Sequence, residues 1–146
     1  MRRKNCCLVW TGVLLFGFAA CLLSAQIASS TRDGVYTVEQ AQHGKVLYGK
    51  QCSLCHRPDL AGMGQNLPLV GDDFLNNWDD QTLADLYTKT HTSMPASKPG
   101  SLTPTETVQL LAYILSVNKF PAGKTDLPID LSKLKAIHID KLATKP

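Results

Sequence analysis

The stretch Cys52-Ser53-Leu54-Cys55-His56 sets two thiols three residues apart, with an imidazole directly behind the second. At the end of a helix that spacing lets both sulfurs form thioethers to the two vinyl groups of one porphyrin, with the imidazole beneath its iron. C-x-x-C-H is accordingly the attachment pattern of a c-type haem. A thioredoxin-type C-x-x-C makes no use of a trailing His. Structural zinc takes two further ligands at ordered spacing, which this sequence lacks.

The other thiols, Cys6, Cys7 and Cys21, all fall in an N-terminal stretch with the marks of an export signal. Arg2-Arg3-Lys4 forms a basic n-region, and Cys6 to Ala25 is uncharged and rich in Leu, Val, Phe, Trp and Ala. Haem c is attached to an unfolded chain outside the bacterial cytoplasm, so a targeting segment ahead of C-x-x-C-H is what that chemistry requires. The expectation is a periplasmic protein whose residues 1–30 are a signal peptide. Ala28 and Ser30 supply a small pair for cleavage, whereas Leu23 spoils a site ending at Ala25. The apolar run also reaches the ~20 residues that span a bilayer, so an uncleaved membrane anchor is the alternative. Phe18-Ala19-Ala20-Cys21 faintly resembles a lipoprotein box, but its leading Phe ranks lipidation below both.

Charge agrees with that division. The formal +3 is carried by Arg2, Arg3 and Lys4, and beyond them basic and acidic residues balance. Two haem propionates would make the remainder mildly acidic, and nothing marks a surface for nucleic acid.

Past residue 30 the chain has the length of one small domain, without repeats or low-complexity tracts and with too few residues for a large core. The expected organisation is a linker at 31–37, a haem domain at 38–118 and a tail at 119–146. A first helix is expected from Val38 to Cys55, with Thr37 and Gln40 placed as a capping box. Gly44, Tyr48 and Cys52 then share one face, and Gly44 suggests close approach of another helix. For Gly44 and Gly49 alike, the plainer reading is a weakened helix. A second capping box, Thr103-Pro104-Thr105-Glu106, opens a helix running to Val117, and Val108, Leu111, Ile114 and Leu115 form its apolar stripe. A shorter helix is expected from about Asp80 to His91 with an aspartate cap, Leu83, Leu86 and Tyr87 sharing its face. No segment alternates at period two for long enough to argue a sheet. In the tail, Asp130 is placed to cap one turn over Leu131 to Ile137, folded onto the domain or onto a partner; Leu127, Leu131, Leu134, Ile137 and Ile139 argue against disorder.

Taken together, these residues resemble class I cytochrome c over residues 38 to 118: Gly-x-x-x-aromatic-x-x-x-Cys-x-x-Cys-His, a loop, a middle helix leading to Met94-Pro95, and a last helix with an aromatic. The resemblance implies an all-α class I cytochrome c fold, with the first and last helices crossing at Gly44 and Tyr113 around one covalent haem c. It also implies that His56 and the Met-Pro methionine ligate the iron from opposite sides. Asp59-Leu60-Ala61-Gly62, Phe74 with Trp78, Thr92-Ser93-Met94-Pro95, the run at 99 to 103 and Phe120-Pro121-Ala122-Gly123 resemble small cytochromes related to the haem domains of quinoprotein alcohol dehydrogenases.

Three residues compete for the sixth ligand. Met94 lies far enough past His56 for the chain to pass around the haem edge, and Pro95 holds Met94 extended. Met63, in Gly62-Met63-Gly64, is too near His56 to reach the opposite face easily and reads as a gap-filler. His91 would give bis-His ligation and a lower potential, and an open position is the remaining case. The site is thus expected to comprise Cys52, Cys55, His56 and Met94, with His56 and Met94 on the metal. The resemblance further implies a backbone carbonyl from Leu67-Pro68-Leu69 on the ligand's other ring nitrogen, and Pro68 can supply it. Trp78 and Tyr48 are propionate donors or plain core, and Arg57 is a propionate partner or solvated. His43 and His138 are expected at the surface.

The function so implied is electron carriage, without bond chemistry on a substrate. The expected partners are redox proteins: a periplasmic dehydrogenase, perhaps of quinoprotein type, as donor, and a terminal oxidase or another cytochrome as acceptor. The rival reading is a haem enzyme or gas sensor with an open sixth position, for which His91 alone is near enough to act as a distal group.

Overall fold

The computed structural model describes residues 30–141; the expected signal segment lies outside them, apart from Ser30. Six α-helices follow one another: α1 (Val38–Gln51), α2 (Ser53–His56), α3 (Gly71–Trp78), α4 (Leu83–Ser93), α5 (Pro104–Val117) and α6 (Leu131–Lys135). Among the described residues there are isolated β-bridges but no strand, as the all-α expectation required. No described helix is long and apolar enough to cross a membrane.

Helix α5 is the centre. Thr103 and Glu106 form its capping box around Pro104, and Val108, Leu110, Leu111, Ala112, Ile114 and Leu115 are all buried. Apolar side chains therefore leave this helix in every direction, so it has neighbours all round. Its tightest neighbour is α1. A Cβ on Gly44 would lie inside the Gln109 carbonyl and 2.9 Å from Tyr113 Cβ, so the two backbones touch where only hydrogen fits. Tyr48, one turn on, packs its ring 5.4 Å from that of Tyr113. Gly49 has nothing within 4 Å of a built Cβ, and there the plainer reading holds.

Local chemistry moves several boundaries. The expected helix from Val38 to Cys55 divides at Cys52, where Ser53 Oγ donates to the Gly49 carbonyl at 2.8 Å. A straight helix would give that carbonyl to the Ser53 amide. Thr37 caps α1 by accepting from Gln40 N–H at 3.1 Å. Gln40 does not complete the box: its side chain donates to Leu127 O (3.0 Å) and accepts from Leu127 N–H (2.8 Å) instead. The middle helix starts at Leu83, capped not by an aspartate but by Thr82, whose box partner is Asp85. Asp80 precedes it at φ 63°, its N–H on Ile139 O. Helix α3 has no counterpart in the sequence reading. It is short, and its N-cap Val70 offers no side-chain bond; Asp72 and Asp73 in its first turn suit the helix dipole.

The segment 31–37, expected as a linker, holds a 3-10 turn at Thr31–Asp33 and buries Thr31, Val35 and Tyr36. The chain after Asn118 crosses the same side of the molecule. Tyr36 Oη donates to Phe120 O at 2.7 Å, Thr31 N–H to His138 O, Leu83 N–H to Ile137 O and Ile139 N–H to Gln81 O. Leu127, Leu134, Ile137 and Ile139 are buried at 5 % exposure or less, and Asp130 caps α6 through Ser132 N–H.

Two consequences can be measured by thermal unfolding of haem-loaded protein. Gly44→Ala must separate α1 from α5 and is expected to cost about 3 kcal/mol or more, whereas Gly49→Ala, with open space and a helix interior, should gain about 0.5–1 kcal/mol. Leu134→Ala should cost about 2–5 kcal/mol, a loss that a tail without a structural role would not produce.

Candidate haem site

The break at Cys52 shapes the site. Cys55 and His56 both return their amides to the Cys52 carbonyl, at 3.1 and 2.9 Å, so α2 and its N-cap Cys52 form one tight turn carrying both thiols and the imidazole. Cys52 is half-buried against the core and Cys55 is exposed; both are free thiols. Burial pushes the Cys52 thiol up to about 11. A folded chain would therefore present it as a poor nucleophile, which suits attachment before folding.

Beyond His56 the chain reverses. Arg57 has φ 65° and ψ 155°, a region that side chains rarely occupy and that persists only where surroundings impose it. Tyr48 imposes it, its hydroxyl donating to Arg57 O at 2.6 Å. Burial raises the Tyr48 pKa and keeps the group protonated as a donor. Tyr48 is thus committed to the backbone and not to a propionate. The Arg57 guanidinium pairs with Asp59 at 3.1 Å, holding that carboxyl below its ordinary range. Trp78 packs against Phe74, with ring centroids 6.3 Å apart.

His56 Nδ1 lies 3.0 Å from the Leu67 carbonyl. A carbonyl only accepts, so Nδ1 donates a proton here, which leaves Nε2 as the ring nitrogen available to a metal. The acceptor is Leu67, not Pro68. Its loop is knit by Gly62 N–H to His56 O (3.1 Å), Leu69 N–H to Leu60 O (2.8 Å) and a reciprocal Met63–Asn66 pair at 3.0 Å. Gly62, at φ 71°, has the Asn66 carbonyl against the place of a Cβ. A residue the sequence did not single out finishes the loop: buried Asn118 accepts from Gly71 N–H and donates to Leu69 O. A lone Asn after an apolar helix reads as an ordinary cap, and only the tertiary fold shows the partner loop.

Met94 ends α4 with φ −118° and ψ 152°, the extended conformation required before Pro95; the bond between them is cis. Helix α4 is tied to α5 by His91, whose Nδ1 lies 3.2 Å from Thr107 Oγ and whose ring stacks on Tyr87 at 5.3 Å. Thr107 Oγ donates to Thr103 O, so it accepts from His91. Met63 is 58 % exposed in the loop after His56. His43 and His138 are exposed.

The donor set fits a covalent haem. Two unpaired thiols share one turn with an imidazole whose Nε2 is left available to a metal, and a thioether follows on a separate helix. Among the described residues no group of three or more His, Cys, Asp or Glu side chains is placed to hold a metal ion.

A family model described as cytochrome c oxidase, cbb3-type, subunit III matches residues 39–114, more than half of the chain and the whole span from the first turn of α1 into α5. No curated protein and no solved structure matches the chain. With C-x-x-C-H and Met-Pro both inside the matched span, the chain is an electron-carrying c-type cytochrome with covalently bound haem, and it belongs to the family of cbb3-type cytochrome c oxidase subunit III.

Proposed function

We propose that this protein is an exported, periplasmic monohaem cytochrome c that takes single electrons from a periplasmic dehydrogenase and passes them to a terminal oxidase or another cytochrome. The observation that carries this reading is the His56 Nδ1–Leu67 carbonyl bond, because it prepares one imidazole nitrogen for iron while holding the ring in place. Cys52 and Cys55 would hold the group by two thioethers, and His56 and Met94 would ligate its iron. The haem supplies a one-electron Fe(III)/Fe(II) couple when bound.

The residues tune that couple in opposing directions. As a ligand the Met94 thioether would favour ferrous iron and leave no open site, whereas the Leu67 carbonyl would strengthen His56 as a donor and favour ferric iron. Met94 is preferred to His91 because the His91 ring is engaged with Thr107 and Tyr87. It is preferred to Met63 because Met63 sits in the short loop that serves His56. A quinoprotein-type dehydrogenase as donor rests on the resemblance at residues 59–62, 92–95 and 120–123. The family's description, an oxidase subunit, supports an oxidase as acceptor.

For protein matured in a competent periplasm, acid–acetone extraction should leave the haem on the polypeptide. Intact mass should show one haem and loss of the N-terminal segment; complete extraction of the haem would remove the central claim. Met94→Ala should abolish the thioether-to-ferric-iron absorption, lower the reduction potential and open the ferrous protein to carbon monoxide, which the wild type should bind poorly at neutral pH. Met63→Ala should keep the absorption band. Rapid stoichiometric carbon monoxide binding with peroxidase-like turnover by the wild type would favour an enzyme with an open iron.

A further inference from the structure

The geometry points to Asn118 as a positioning residue for the His56 ligand, an inference that rests on the axial assignment proposed above. Asn118 is the C-cap of α5 and only 4 % exposed. Its carboxamide is fully committed: Oδ1 accepts from Gly71 N–H at 3.0 Å, and Nδ2 donates to Leu69 O and to Ile114 O, both at 2.9 Å. One N–H and two carbonyls admit a single orientation of the amide, so the group cannot flip without losing partners.

Capping α5 accounts only for the bond to Ile114. The other two bonds reach 47 and 49 residues back along the chain, to both sides of Val70. Leu69 is two residues from the Leu67 carbonyl that receives His56 Nδ1–H, and Pro68 between them has a locked φ. Buried Leu60 before the loop's tip, and Leu69 and Val70 packed partly buried after it, anchor its ends on the core. Ala61, Met63, Gly64, Gln65 and Leu67 are exposed, so apolar burial does not fix the Leu67 carbonyl in space. Hydrogen bonds do, and those of Asn118 are the ones that tie the 69–71 stretch to the buried central helix. Asn118 thereby sets the length and direction of the His56 Nδ1–H···O bond, and through it the donor strength of the imidazole.

The test uses full-length, haem-loaded protein in the ferrous state. Asn118→Leu keeps the approximate volume and removes all three bonds, leaving Leu69 O and Gly71 N–H without partners. Exchange of the His56 Nδ1 proton with solvent, followed by NMR, should accelerate by about tenfold or more, and the reduction potential should rise as ferric iron loses donor strength. Gln40→Leu cuts the clamp on Leu127 far from this loop. It should lower the unfolding temperature comparably while leaving both readouts at their wild-type values. Where Asn118→Leu does not mature, Asn118→Ala, which admits water, should shift both readouts in the same direction. A lowered unfolding temperature with unchanged exchange and potential would reduce Asn118 to a helix cap and overturn the positioning role alone. A wild-type spectrum in which His56 carries no signature of iron coordination would overturn the ligand assignment and this role together.

Discussion

The contact between Gly44 and the backbone of α5 is the constraint on which the rest depends. Because a hydrogen is all that separates α1 from the Gln109 carbonyl, α1 has one depth and one crossing point, and the turn bearing Cys52, Cys55 and His56 inherits its place from that crossing. Helix α5 then serves as the common reference for every part of the site. It receives α1 through Gly44 and Tyr113, α4 through Thr107 and His91, and the loop that serves His56 through Asn118. The two distant stretches that carry the proposed ligands are thus both tied to the same buried helix.

Three crossing helices alone give a small domain only a limited apolar core. Part of the remedy is the segment after Asn118, which adds Phe120, Leu127, Leu134, Ile137 and Ile139 to the core. Its backbone is not left to water either. The amide of Gln40 satisfies both main-chain groups of Leu127, and the segments around Thr31 and Gln81 bond to the stretch 137–139. These irregular segments behave as structure because their polar groups are paired with partners fixed elsewhere in the fold. The covalent macrocycle is the second remedy, an apolar body held against the domain by bonds that do not dissociate.

The surroundings of the two proposed ligands, His56 and Met94, are built differently. On the His56 side the ring nitrogen, its acceptor and the acceptor's loop form a continuous hydrogen-bonded bracket, anchored by a strained Arg57 that Tyr48 holds in place. On the Met94 side a helix simply ends in an extended residue before proline, with His91 one turn back securing the helix to α5. With both proposed ligands bound, a bracketed imidazole and a thioether beside a helix terminus would suit a centre that changes charge by one without rearranging.

The motif C-x-x-C-H, the Met-Pro pair and the caps of α5 were legible in the sequence because each is a local pattern whose chemistry works at fixed spacing. Helical periodicity and a glycine where a helix former was due suggested a close approach at Gly44, and the resemblance to class I cytochrome c implied the all-α fold and the crossing there. What only the tertiary structure decided is where long-range hydrogen bonds are spent. Gln40 abandons its capping box for Leu127, Tyr48 turns to Arg57, and Asn118 reaches back to Leu69 and Gly71. A polar side chain's partner depends on which backbone group the fold leaves unsatisfied beside it, and that is a property of the packed chain, not of any short stretch of it. The same reason hid α3, whose start has no side-chain cap and whose apolar face, Phe74 and Leu75, is defined by what it packs against.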